Sequence, residues 1–183
     1  FELFIPGLAA GCGYMYEIKR QGKGTTRKLD PVSRQISSVP IIASVVSEEN
    51  MPDSYAWNDG LWMIKRKKEA GKKKPVTVYE VSLTNWMKEK SADELVDFVK
   101  QEGYTHVCFL PVAEYLNEEM NGYSTLGYFA VTHRIGGSDA FKKLVDDCHN
   151  AGIGVIIDWN GAYFGTEAKG LYDFDGADAY GYL

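Results

Sequence analysis

The feature that most constrains this chain is a change of period after Pro75. From there, apolar runs of strand length alternate with amphipathic helical stretches. The segments "VTVYEVSL" (76–83), "THVCFL" (105–110) and "IGVIID" (153–158) read as three strands. Between the first two, Ser91 and Glu94 spell the S-x-x-E capping box, in which each side chain bonds a backbone N–H at the other's position. The helix it opens places Leu95, Val96, Phe98 and Val99 on one face and stops at Gly103. Between the second and third strands, Ser138 is expected to cap a helix carrying Phe141, Leu144, Val145 and Cys148 at i, i+3, i+4 and i+7, ended by Gly152. Strand, helix, strand, helix, strand implies right-handed crossovers and a parallel sheet. The unbroken run Val155-Ile156-Ile157 predicts a strand covered on both faces, with Asp158 presented at its carboxyl end.

Two features favour a closed barrel over a doubly wound sheet. No Gly-rich phosphate loop follows the first strand, where "SLTNW" (82–86) stands instead. A long loop, from Pro111 to about Gly137, follows the second strand, on the side where barrel enzymes build their sites. The predicted class is therefore α/β with an N-terminal all-β part: an incomplete β-sandwich, then the first three β/α units of a (β/α)8 barrel.

Residues 1–63 carry the all-β pattern. "ELFIPG" and "GYMYEIKRQGKG" read as strands with Gly-rich turns, and Tyr14, Tyr16 and Ile18 alternate with Met15, Glu17 and Lys19. Asp30-Pro31 sets a turn, and "YAWNDGLW" (55–62) reads as a turn rich in aromatics. The charge divides with the pattern. Residues 1–74 hold 13 Lys/Arg against 8 Asp/Glu, and residues 75–183 hold 7 against 17. Three segments follow: 1–63 the sandwich part, 64–75 a basic linker, and 76–183 the barrel part.

The run "KRKKEAGKKK" (65–74) has no interleaved aromatics, so a solvated linker is the reading here and no nucleic acid is expected as a partner. No apolar run approaches the roughly 20 residues of a membrane span, so no membrane is expected either. Cys12, Cys108 and Cys148 are odd in number and far apart, without metal-ligand spacing. Cys108 and Cys148, in apolar patterns, read as buried reduced thiols, and the expectation is a cytoplasmic location, no metal and no cofactor. The start on Phe1, inside a strand-like run, reads as a piece of a longer protein.

Several segments together resemble one family. "YEVSLTNW", "GYTHVCFLPVAEY", "GYSTLGYFAVTHRIGGSDAFKKLVDDCHNAGIGVIIDW" and "FDG" are similar to the start of the catalytic barrel of glycogen branching enzymes, in the α-amylase superfamily (glycoside hydrolase family 13). "ELFIPG", "YMYEI" and "YAWNDGLW" are similar to the carbohydrate-binding sandwich that precedes that barrel. The resemblance implies an enzyme that cuts α-1,4-glucan and transfers the piece to form an α-1,6 branch. Its partners would be glycogen, amylose and maltooligosaccharides. Retaining chemistry of this kind uses two carboxyl groups about 5 Å apart. In the family these follow barrel strands four, five and seven, so no catalytic residue is expected among the three units here, and the chain alone is expected to be inactive. Alternatives are a non-catalytic α-glucan binder and another hydrolase of the superfamily.

The resemblance implies four substrate-binding residues. Tyr123 matches a tyrosine that stacks on the sugar at the cleavage point. Asp158 matches a supporting aspartate beside that sugar. Tyr163 stands where the family has a sugar-binding histidine, and Arg134 matches an arginine in "THR". Departures gather at sugar-facing positions: Asn121, Ser124 and Thr125 replace Trp, Gln and Pro, while Ser82 and Tyr115 each replace a His. Glu114, His106, His149, Trp57 and Trp62 are read first as structural.

Overall fold

A computed structural model describes residues 4–20, 22, 24–37, 40–47, 55–161, 164–166 and 169–175. In chain order its elements are β1 (Gly13–Tyr14), β2 (Tyr16–Arg20), β3 (Gly24–Lys28), β4 (Ile36–Ser37), β5 (Ala43–Val45), α1 (Gly60–Glu69), β6 (Val78–Val81), α2 (Leu83–Trp86), α3 (Ala92–Gln101), β7 (His106–Phe109), β8 (Ala113–Tyr115), β9 (Thr125–Val131), α4 (Gly137–Asn150) and β10 (Gly154–Ile157). Single 3-10 turns occupy Glu118–Met120 and His133–Ile135. The chain forms two compact units. One draws on residues within 1–54, 113–133 and 161–183, the other on 55–112 and 134–160.

The second unit holds the parallel sheet, in the order β10-β7-β6, with every pairing parallel. Its core is the apolar set that the periodicity marks: Val107 and Phe109 from β7, Leu95 and Val99 from α3, and Leu144 and Cys148 from α4, each at most 3% exposed. Phe109 meets Phe141 edge-on, with ring centroids 5.6 Å apart. The capping box is formed: Ser91 Oγ accepts from Glu94 N–H at 3.2 Å, and Glu94 Oε2 accepts from Ser91 N–H at 2.7 Å. At the amino end of β10, a Cβ on Gly154 would run into the His106 imidazole, so the two strands approach there only because Gly154 has no side chain.

Three expectations for this unit change. Ser138 does not cap α4. The N-cap is Gly136 in the left-handed region (φ 87°), with Gly137 also at positive φ (76°), so the glycine pair makes the turn and no side chain bonds the first amides. "YAWNDGLW" and part of the basic segment are not turn and linker: Asp59 is the N-cap of α1, which runs to Glu69 with Arg66, Lys67 and Lys68 in its last turn, where cations suit the helix dipole. The run Val155-Ile156-Ile157 is not covered on both faces. Ile156 and Ile157 are 41% and 46% exposed, because β10 is an outer strand and pairs only with β7 among the described residues.

The first unit contains a small antiparallel sheet, β1-β5-β4, and two hairpins, β2-β3 and β8-β9. Leu29, Ile36, Leu126 and Ala130 form its apolar centre. Gly127 makes that contact possible, since a Cβ there would overlap the Ile36 side chain. The Asp30-Pro31 turn is tied by Asp30, which accepts from Tyr14 OH at 2.6 Å and Tyr16 OH at 3.1 Å, while its own N–H donates to Ser44 Oγ at 2.8 Å. Burial and the Asp30 carboxylate push the Tyr14 phenol well above its ordinary pKa. Of "ELFIPG", Phe4 and Ile5 are irregular and Pro6 and Gly7 form a turn, so none is strand, and Glu2 and Leu3 lie outside the described residues.

The units run differently from the three sequence segments. The loop after β7 contains the β8-β9 hairpin and groups with the N-terminal strands, as does the stretch after residue 161. Backbone bonds show how: Leu29 N–H donates to Lys169 O at 2.8 Å, and Gly165 N–H to Thr125 O at 3.0 Å. The buried Lys28 ammonium donates to Tyr172 O at 2.6 Å.

Candidate functional site

Asp158 follows the carboxyl end of β10. Its N–H donates to Phe109 O at 2.8 Å, which carries the β7 ladder one residue past the strand. The side chain is half-buried at the sheet end. A carboxylate held by its own backbone at the tip of a parallel strand is positioned without depending on a mobile loop. Arg134, half-buried, opens the second unit's stretch before α4, inside the 3-10 turn His133–Ile135.

Tyr123 belongs to the first unit. It follows Asn121 (φ 48°) and Gly122 (φ 89°), two successive left-handed residues that reverse the chain before β9. Asn tolerates that region far better than a bulky residue does, which accounts for Asn at 121 in this backbone. The Tyr123 N–H donates to Met120 O at 2.9 Å, and the ring is half-buried. The neighbouring Ser124 and Thr125 are 7% and 4% exposed, so their side chains are turned into the unit rather than offered to a ligand. Tyr163 lies outside the described residues. The structure thus places Asp158 and Arg134 in one unit and Tyr123 in the other.

Glu114 is fully buried (0% exposed) and engaged on both oxygens. Oε1 accepts from Tyr115 N–H and Thr132 Oγ1, both at 3.2 Å; Oε2 accepts from His133 N–H at 2.9 Å and lies 3.0 Å from His133 Nδ1. A carboxylate committed this way locks the two ends of the β8-β9 hairpin together and has no oxygen to offer a substrate. It sits where the pairing register shifts, so its side chain replaces ladder bonds that the irregular strand cannot make.

A second cluster was not visible in the sequence. On α4, Asp146 accepts from Asn58 N–H at 3.0 Å and from Tyr55 OH at 3.5 Å, while His149 Nδ1 lies 2.7 Å from Asp59 Oδ2. Trp62 stacks on the His149 ring, centroids 5.0 Å apart and planes 15° apart. The segment "YAWNDGLW" is therefore an anchor that seats α1 on α4. The one available signal was Asp146 and His149 at i, i+3, two of many polar residues on this amphipathic helix, with Asp146 set among its buried apolar positions. Burial raises the thiol of Cys108 and pushes that of Cys148 up to about 12, so neither is a ready nucleophile at neutral pH. Among the described residues, no group of three or more His, Cys, Asp or Glu could hold a metal ion, and no helix is long and apolar enough to cross a membrane.

Comparison with known proteins gives this arrangement its context. Residues 90–170 match the family model described as alpha amylase, catalytic domain. The chain is 41% identical over 98% of its length to a 1,4-alpha-glucan branching enzyme from Methylococcus capsulatus, covering 25% of that protein. It is 41% identical, over 98% of its length, to one from Kitasatospora aureofaciens, covering 24% of it. A solved structure, a putative alpha amylase from Salmonella typhimurium, superimposes on 85% of the chain and 25% of that protein, with TM-score 0.61 and 24% identity. The chain spans about a quarter of the length of the curated relatives it matches. The resemblance to branching enzymes of the α-amylase superfamily thus runs through nearly the whole chain. The fold is of the TIM-barrel type found in amylases, accompanied by further sheets.

Proposed function

We propose that this chain, a sequence relative of 1,4-alpha-glucan branching enzymes, is part of an enzyme that cleaves α-1,4-glucan and transfers the piece to form α-1,6 branches. The observation that carries the reading is 41% identity over 98% of the chain to a protein bearing that name. In this reading β6, β7 and β10 are the first three strands of the (β/α)8 barrel, and the N-terminal strands are the end of a carbohydrate-binding sandwich. The chain's share of the work is to hold glucan, with glycogen, amylose and maltooligosaccharides as ligands, in the cytoplasm. Asp158 and Arg134 would bond sugar hydroxyls, Tyr123 would stack on a glucose ring, and Tyr163 would stand beside the same sugar. The position of Asp158 at the carboxyl end of β10 supports this, since barrel sites are built at that end.

The chain alone would neither cut nor transfer. The family's nucleophile and acid/base have no match among its residues, and Glu114, the first carboxylate after β7 along the chain, is sealed from solvent. Native electrophoresis of the chain through gels containing glycogen tests the binding. Retardation that Tyr123→Ala and Asp158→Ala each reduce is expected; migration unaffected by glycogen would remove the glucan-holding role. An iodine-stain and reducing-end assay on amylose should show no activity above a Glu114→Gln control. Activity above that control would make the chain a different enzyme.

A further inference from the structure

Residues 55–62 seat α1 on α4, and two of their three aromatic side chains serve that seat directly. Tyr55 donates its hydroxyl to Asp146 at 3.5 Å, and Trp62 stacks on His149. Trp57 is the exception: it stays 45% exposed, although the chain on either side of it is held. Its ring meets the Tyr55 ring in a T-shaped contact, centroids 4.9 Å apart and planes 70° apart. Next to it the Asn58 N–H donates to both oxygens of Asp146, at 3.0 and 3.2 Å. Asp146 is itself buried. Isolated exposed apolar residues are ordinary, but a large ring braced on both sides along the chain is pre-organised for contact.

Charged groups of both signs gather beside this aromatic pair. Lys143 and Asp147 pair across one turn of α4 at 2.5 Å. Desolvation, then the charges of Asp146 and Asp147, raise the Tyr55 phenol above its ordinary range, and Lys143 acts against them, so all three lie about that ring. The bond to Asp147, with Asp93 adding to it, raises the Lys143 ammonium in turn. Asp93 is exposed in the first turn of α3. All these residues belong to the second unit. The helices α3 and α4 pack on each other and are consecutive in the barrel proposed above, so no further strand or helix of that barrel comes between them. The outer edge of β10 takes no part.

Resting on the glucan reading above, we propose that Trp57 is the platform of a second α-glucan site, apart from the strand end that carries Asp158. The exposed part of the indole packs on the apolar face of one glucose ring. Lys143 donates to the sugar hydroxyls, and Asp147 and Asp93 accept from them. A phosphate would meet two carboxylates here, and a cation would meet a lysine. A neutral polyol, whose hydroxyls both donate and accept, uses groups of both signs.

Isothermal titration of the full chain with maltoheptaose tests it, with circular dichroism checking the fold of each variant. The double variant Tyr123→Ala/Asp158→Ala removes the first site, and saturable binding should remain in it. Adding Trp57→Ala to that background should weaken the remaining binding about tenfold or more, while adding Trp57→Phe instead should retain most of it. Adding Lys143→Gln and Asp147→Asn should weaken it by a smaller factor. That pair lies on the helix surface, so its variant reads the site even where the indole is needed for folding. Binding that vanishes in Tyr123→Ala/Asp158→Ala, or that neither Trp57→Ala nor the Lys143/Asp147 pair alters in that background, would overturn the second site and leave the glucan reading standing. Loss of all binding in Trp57→Ala alone would keep this site and remove the glucan role of Tyr123 and Asp158. No saturable heat with the unaltered chain would overturn both.

Discussion

Strands β7 and β10 lie side by side in one parallel sheet and carry similar apolar runs, yet they have opposite fates. In β7, Val107 and Phe109 are fully buried; in β10, Ile156 and Ile157 are 41% and 46% exposed. The difference is one of neighbours. β7 has β6 on one side and β10 on the other, and its Phe109 meets Phe141 of α4, while β10 packs on α4 but among the described residues pairs with β7 alone. Apolar composition fixes what a strand can bury; the number of partners fixes what it does bury. An apolar outer strand is also a template for association.

That comparison predicts unequal costs for similar truncations. Phe109→Ala should destabilise the second unit by about 3–5 kcal/mol, through lost burial and a cavity against Phe141. Ile157→Ala should cost less than about 1 kcal/mol, since much of its surface is already in water. Urea unfolding of both variants measures the gap. Equal costs would mean that β10 is covered in solution.

The next largest effect is expected in the first unit. Glu114→Ala leaves the buried Thr132 hydroxyl and the His133 N–H without their acceptor, at about 2–3 kcal/mol. The loss should appear in the same urea experiment and spare signals from β7 and β10. Ser91→Ala should cost about 1 kcal/mol, the usual worth of an N-cap. The cap also carries a pH dependence. Bonds from the Ser91 backbone and hydroxyl lower the Glu94 pKa below its ordinary 4.5, so its contribution is complete above that value and fades as pH falls through the lowered one. Thermal scans between pH 6 and pH 3 should show a decline that Glu94→Gln flattens. The smallest effect on stability is expected from Ile157→Lys, within about 0.5 kcal/mol. Its effect should instead be on association: light scattering should fall relative to the unaltered chain if the outer strand is where copies meet.

The parallel part was legible because its signals are local. Helical spacing placed Leu95, Val99, Leu144 and Cys148 in the core, and the Ser91/Glu94 box marked a helix start where the structure forms one. Misreadings came where distant partners decide. Asn58-Asp59-Gly60 has the composition of a turn, but Asp146 and His149, some 90 residues on, convert it into the seat of a helix. Ser138 has cap chemistry, yet Gly136 and Gly137 provide a backbone route that needs no cap. The β8-β9 hairpin was hidden in an expected loop because its pairing is irregular and Glu114 holds it from the side. Of the candidate site, Asp158 was legible as a strand end, whereas the inward turn of Ser124 and Thr125 depends on contacts that no local pattern reports.

Residue-resolved hydrogen exchange on the native chain tests the contrast between the two strands most directly. The Gly154 N–H donates to Thr105 O at 2.9 Å and the Asp158 N–H to Phe109 O at 2.8 Å, so alternate amides of β10 face β7. Those between them, on Val155 and Ile157, face away from the sheet. The account predicts slow exchange at Gly154, Ile156 and Asp158, fast exchange at Val155 and Ile157, and protection throughout β7. Uniform protection along β10 at low concentration would show that its outer edge is paired, and would contradict the account.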